Sequence, residues 1–123
     1  MNLGTLGTPS EVENRTVTYK KHRKFKVVID GIDVSGGDVD EAFISFTSDP
    51  TRSKWVVLGE IPAYSWEVQR INNGISAAGG TVTAIHNHWF IDDVYQIMYL
   101  HFQLSTSQPS RVAQKLKVFW DTL

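Results

Sequence analysis

A period of two governs the first half of the chain. Thr16-Val17-Thr18-Tyr19, Phe25-Lys26-Val27-Val28-Ile29, Ala42-Phe43-Ile44-Ser45-Phe46-Thr47 and Trp55-Val56-Val57-Leu58-Gly59-Glu60 are short runs rich in β-branched and aromatic residues. That is the composition of strands, where branched side chains fit a pleated surface. Asp30-Gly31, Gly36-Gly37 and Asp49-Pro50 punctuate them as loops, and Pro62 ends the fourth run.

The pattern then lengthens to a helical period. Val68, Ile71, Ile75 and Ala78 share one side of a helix over about 66–78. Ser65 is placed to cap it, and Glu67 sits in the first turn, where the helix dipole favours an anion. Gly79-Gly80 supplies the stop, and Gly74 is a weak point. Two long strands follow, 81–90 and 95–104, with Asp92-Asp93 at the turn. A last helix begins near Pro109, capped by Ser107 or Ser110, with Val112, Leu116 and Phe119 or Trp120 on its inner stripe. Strands first, then α-β-β-α, predict an α+β domain: an antiparallel sheet of about five to six strands with two helices packed on one face. Residues 1–13, with one proline and no period, read as a flexible N-terminal segment, and 14–123 as the single domain.

Composition narrows the chemistry. A chain of 123 residues, 41% hydrophobic, supports one core. Nothing approaches the roughly 18 to 20 consecutive apolar residues of a membrane span. Residues 1–10 lack the basic and apolar regions of a secretory signal, so the expected location is the cytoplasm, without a membrane partner. Cysteine is absent, which removes disulfides, thiolate metal sites and thiol nucleophiles together. Lys20, Lys21, His22, Arg23, Lys24 and Lys26 read as the solvated tip of a hairpin between the first two runs. A formal charge of −1 argues against a nucleic-acid partner.

The informative stretch is Ala84-Ile85-His86-Asn87-His88-Trp89-Phe90. Residues two apart on a strand point to the same side, so His86 and His88 project together. If Phe90 pairs with Tyr95 across a four-residue loop, then His88 opposes Ile97, His86 opposes Tyr99 and Ala84 opposes His101. His101 then joins the face of His86 on its diagonal. A one-residue slip would send it to the opposite face. Met98, Leu100, Phe102 and Leu104 alternate toward the core, with Ile85 and Trp89 expected on that same side. Three imidazoles leave one open position on a tetrahedral Zn²⁺, and also suit Cu, Ni, Co or Fe. Glu60 is the candidate fourth ligand or general base, and Glu67 the weaker alternative. Asn87 is read as structural, and Tyr64 and Trp66 as walls of a ligand pocket. The competing account makes the histidines polar surface, or rings stacked with Tyr95, Tyr99 and Trp66. His86-Asn87-His88 spells HNH, but the nuclease of that name spreads these residues along a ββα unit. No P-loop, GxGxxG or G-x-S-x-G pattern occurs.

Residues 55–104 resemble the LppY/LpqO family, a bacterial group that includes lipoproteins. The matching pieces are Val57-Leu58-Gly59-Glu60, a helix ending at Gly79-Gly80, Thr83-Ala84-Ile85-His86-Asn87-His88, and Met98-Tyr99-Leu100-His101-Phe102. The likeness extends more loosely over most of the chain, and the block 83–88 is its specific part. The resemblance implies that the histidines belong to a signature block, and it implies no reaction. Many members carry two modules and an export signal. This chain reads as one module without such a signal, so two copies are expected to pair and recreate the two-module arrangement. Three functions follow: a domain binding a divalent transition metal or small ligand, a metal-dependent hydrolase or lyase with Glu60 as base, and a structural or self-association module.

Overall fold

The computed structural model describes residues 4–123. Its strands are β1 (Glu11–Glu13), β2 (Thr16–His22), β3 (Val28–Ile29), β4 (Ile32–Asp33), β5 (Glu41–Ser48), β6 (Trp55–Ala63), β7 (Thr81–His86) and β8 (Met98–Thr106). The helices are α1 (Val68–Ala77) and α2 (Pro109–Trp120). Six strands lie in the order β1-β2-β5-β6-β8-β7, each antiparallel to its neighbours, and β3-β4 form a separate pair. This is the expected α+β architecture.

Strict alternation sets the two faces. Ala42, Ile44 and Phe46 of β5 are wholly buried. They pack with Ile71 and Ile75 of α1 and with Leu116 and Phe119 of α2. Glu41, Phe43, Ser45 and Thr47 are only partly buried and take the opposite face, called here the open face. Gly59 belongs to the covered face because the Phe102 ring lies over it. A Cβ there would stand 2.1 Å from that ring. The helix stop also falls as expected: Gly79 takes φ +90°, and the Gly79 and Gly80 N–H groups donate to Ser76 O and Ile75 O, each at 2.9 Å.

A second, smaller core covers one end of the open face. Val27, Ile91, Ile97 and Tyr99 are buried together there. The segment between β2 and β5 and the loop 87–97 both fold over the sheet at this point. Asp92 fastens them to each other: its carboxylate accepts the Gly31 N–H at 2.8 Å, and its own N–H donates to Val28 O at 2.7 Å.

Several expectations are corrected. The hairpin between 16–19 and 25–29 does not form, because β2 pairs with β1 and β5 instead. Lys24 at φ +60° turns the chain out of the sheet. The basic stretch is therefore not a solvated tip. Lys20 and Lys21 lie within β2, and the Arg23 side chain is only 5% exposed. Gly4–Leu6 form a turn of 3-10 helix and Leu6 joins the main core, while Glu11–Glu13 form an edge strand; residues 1–3 of the segment read as flexible lie outside the described residues. Ser65 does not cap α1. A 3-10 turn, Ser65–Glu67, leads into the helix, and the Glu67 carboxylate accepts the Tyr64 N–H at 3.0 Å. The long strands stop early, at His86 and from Met98. Trp89 consequently lies beyond the strand and packs on Tyr99 of the open face, not in the main core. Ile85, 43% exposed, is not in that core either.

Candidate metal centre

A β-bulge puts the histidines on one face. Thr81 opposes Gln103 and Val82 opposes Phe102, but Ala84 opposes His101 and His86 opposes Tyr99. Thr83 is the extra residue. In a regular ladder that kept Thr83, Val82 and His86, four apart, would share a side. With the bulge, Val82 packs against the main core while His86 stands beside His101 on the open face. The expected pairings of His86 with Tyr99 and Ala84 with His101 hold. That of His88 with Ile97 does not, because β7 ends at His86.

His88 reaches the same place from the loop. Its ring stacks on Tyr99 at 4.1 Å between centroids with the planes 8° apart. Ring centroids are 4.8 Å apart for His86–His88, 4.9 Å for His86–His101 and 5.4 Å for His88–His101. One nitrogen from each ring can be chosen so that all three lie within 4.8 Å of one another. Glu60 faces them across the β6–β8 pairing, directly opposite His101. Its Oε1 lies 3.5 Å from Nε2 of both His88 and His101.

The protonation chemistry suits ligation. His86 Nδ1 lies 3.1 Å from Asn87 O. A carbonyl only accepts, so Nδ1 carries the proton and the Nε2 lone pair is left free. Asn87 thus contributes through its backbone. His101 Nε2 is buried with no hydrogen-bond partner, its 3.5 Å approach to Glu60 lacking hydrogen-bond geometry. Burial holds the His101 imidazole below the usual histidine value; Glu60 opposes that shift, and His86 and His88 add to it. A neutral imidazole is the form that binds metal. Burial, with the Glu60 and Asp40 carboxylates, pushes the Tyr99 phenol up, and its hydroxyl donates to Val39 O.

An open groove of about 570 Å³ leads away from the cluster over the open face. Glu60, His88, Trp89 and Tyr99 line the near end, and Thr18 and Ser45 the far end. Sequence reasoning missed Trp89 here because it carried the strand past His86. Three other candidates fall outside the site. Glu67 is engaged with Arg23, whose Nη2 donates to it at 2.6 Å. Tyr64 and Trp66 stack at 4.7 Å, and Trp66 meets Tyr95 edge-on at 5.2 Å. This aromatic ladder does not line the groove. The fourth histidine, His22, is held apart by Asp40, with Nδ1 2.7 Å from Oδ1. No helix among the described residues is long and apolar enough to cross a membrane.

A family model described as Domain of Unknown Function (DUF1259) matches residues 4–122. No curated protein and no solved structure matches the chain.

Proposed function

The chain belongs to the Domain of Unknown Function (DUF1259) family, and from that premise we propose, on the chemistry of the site itself, that it is a metal-binding domain. His86, His88 and His101 hold a divalent transition metal, with zinc one of the ions that suit imidazole ligands. Glu60 supplies the fourth position or a proton acceptor beside it. One observation carries the reading: three imidazoles each offer a nitrogen within 4.8 Å of the other two, and in the same cluster His101 Nε2 is buried and unpartnered. A tetrahedral zinc about 2.0–2.1 Å from each nitrogen sets them about 3.3 Å apart. Small rotations of the exposed His86 and His88 close that difference. A buried nitrogen without a partner costs stability unless something accepts its lone pair or proton, and a metal does so.

The groove favours a second reading. It opens on Glu60 and His88, so a metal with one open position would have room for water and a small substrate. The metal would lower the pKa of that water and Glu60 would take its proton, as in a hydrolase or lyase. The likeness of block 83–88 to the LppY/LpqO group, a cytoplasmic location and pairing of two copies belong to the same proposal.

Elemental analysis of protein purified without chelator is the test, with zinc, nickel and cobalt titrations read by calorimetry and thermal shift. The expected result is one metal per chain. His86→Ala and His101→Ala should each drop it well below one while far-ultraviolet circular dichroism stays unchanged. Wild-type protein that neither retains nor takes up metal would leave only the structural module. A metal with water exchangeable at one position would favour catalysis over a purely structural role.

A further inference from the structure

We propose that the groove on the open face binds a neutral polyhydroxylated ligand of the sugar class, lying across the strands with one end at the histidine cluster. The contact at that end and the exclusion of a cationic ligand rest on the metal reading; the rest of the argument from the groove does not.

The sheet register lays out the floor. Lys20, Phe43, Glu60 and His101 oppose one another in turn across β2, β5, β6 and β8. The next row toward the far end places Thr18 beside Ser45. Four adjacent strands span three spacings of about 4.8 Å, or about 14 Å in all, room for roughly two to three linked sugar rings. The volume of about 570 Å³ falls among small-molecule sites.

The lining selects the chemistry. Phe43 forms an apolar floor, and the indole of Trp89, 47% exposed, stands at the rim. Such rings stack on the C–H faces of sugars. Around them are short hydroxyls, Thr18 and Ser45, and carboxylates, Asp38, Glu41 and Glu60. These match a ligand that offers many O–H donors and acceptors. A free anion is disfavoured. Lys20 is the groove's one cationic side chain apart from its histidine, and it is already engaged by Glu11 at 3.1 Å and Glu41 at 3.7 Å. A cation is disfavoured once a divalent ion offsets the carboxylates, leaving the loaded groove close to neutral.

The test uses zinc-loaded and EDTA-treated full chain against cellotriose, xylotriose, maltotriose and tri-N-acetylchitotriose, with trilysine and triglutamate as charged controls of similar length. Saturation-transfer NMR and tryptophan fluorescence read the binding. At least one neutral trisaccharide should bind, and Ser45→Tyr, which fills the far end, should weaken it at least about tenfold. Thr18→Tyr should do the same and guards against a Ser45→Tyr protein that fails to fold. Both variants should keep wild-type zinc affinity. Binding of trilysine or triglutamate alone would overturn the proposal, as would zinc binding with no saccharide bound. Saccharide binding that both tyrosine variants leave untouched would also overturn it. Saccharide binding blocked by both variants in a chain that takes no zinc would uphold the groove and reject the metal reading.

Discussion

Arg23 shows how one residue can reverse the meaning of a charge run. Its guanidinium, 5% exposed, donates to Pro62 O and to Glu67 Oε2, each at 2.6 Å, while its Nε has no hydrogen-bond partner. Such a charge depends on its carboxylate. Burial alone would push the Glu67 carboxyl up. The Arg23 hydrogen bond, the Tyr64 N–H and the charges of Arg23 and Arg70 more than reverse that, and hold it below the ordinary glutamate range. A carboxyl depressed in the folded state stabilises fully above its unfolded value, about 4.3, and loses that contribution as pH falls through the folded value. Wild-type unfolding free energy should therefore rise from acid toward pH 5, above which the Glu67 contribution is complete. Glu67→Gln should flatten the acid limb and cost about 3–5 kcal/mol at neutral pH, because the buried guanidinium is left uncompensated. Urea titrations of both proteins from pH 3 to 7 measure both effects. Parallel acid limbs would refute the assignment to Glu67.

At the scale of elements, the decisive feature is the bulge in β7. Deleting Thr83 alone leaves Ala84 opposite His101 and His86 opposite Tyr99, in an unbroken ladder. Metal uptake should survive, with stability changed by no more than about 1 kcal/mol. Deleting Thr83 and Ala84 together brings His86 opposite Leu100 and turns it toward the helices, so uptake should be lost. Metal analysis of the two variants decides it. The bulge also explains what was legible beforehand. Alternating apolar residues in β5 and β8, the 3.6-residue period of α1 and the glycine stop marked the architecture, and the register near His86 followed from a turn counted outward from Asp92-Asp93. The strand ends did not follow, because Trp89 and Phe90 have strand composition yet belong to a loop anchored by Ile91 and Ile97 in the small core. Nor did the course of residues 23–39. Its direction depends on long-range anchors, Arg23 on Glu67 and Asp92 on Gly31, which no local period encodes. The groove was invisible for a related reason, since Thr18, Ser45 and Trp89 meet only through the order of the strands.

Across the whole molecule, the cluster joins parts with unequal local stability. His101 lies in β8, flanked by strands on both sides, and His86 ends the edge strand β7. His88 lies in a loop whose neighbouring residues are exposed, Trp89 at 47% and Phe90 at 86%. A metal held by all three would tie that loop to the sheet. Binding to the folded state alone adds stability by mass action, about 2.7 kcal/mol at a free concentration 100 times the dissociation constant, or roughly 8 to 15 °C in Tm for a chain of this size. The gain should also be uneven. The amides of 87–90, in this exposed loop, should gain hydrogen-exchange protection on addition of zinc. The amides of β5 and β6, interior strands of the sheet, are expected to exchange through global unfolding and should slow only by the global stabilisation. His88→Ala should abolish the local protection at 87–90 even where His86 and His101 still bind zinc weakly. Equal protection of the loop in wild type and His88→Ala would mean that zinc stabilises the fold from some other place.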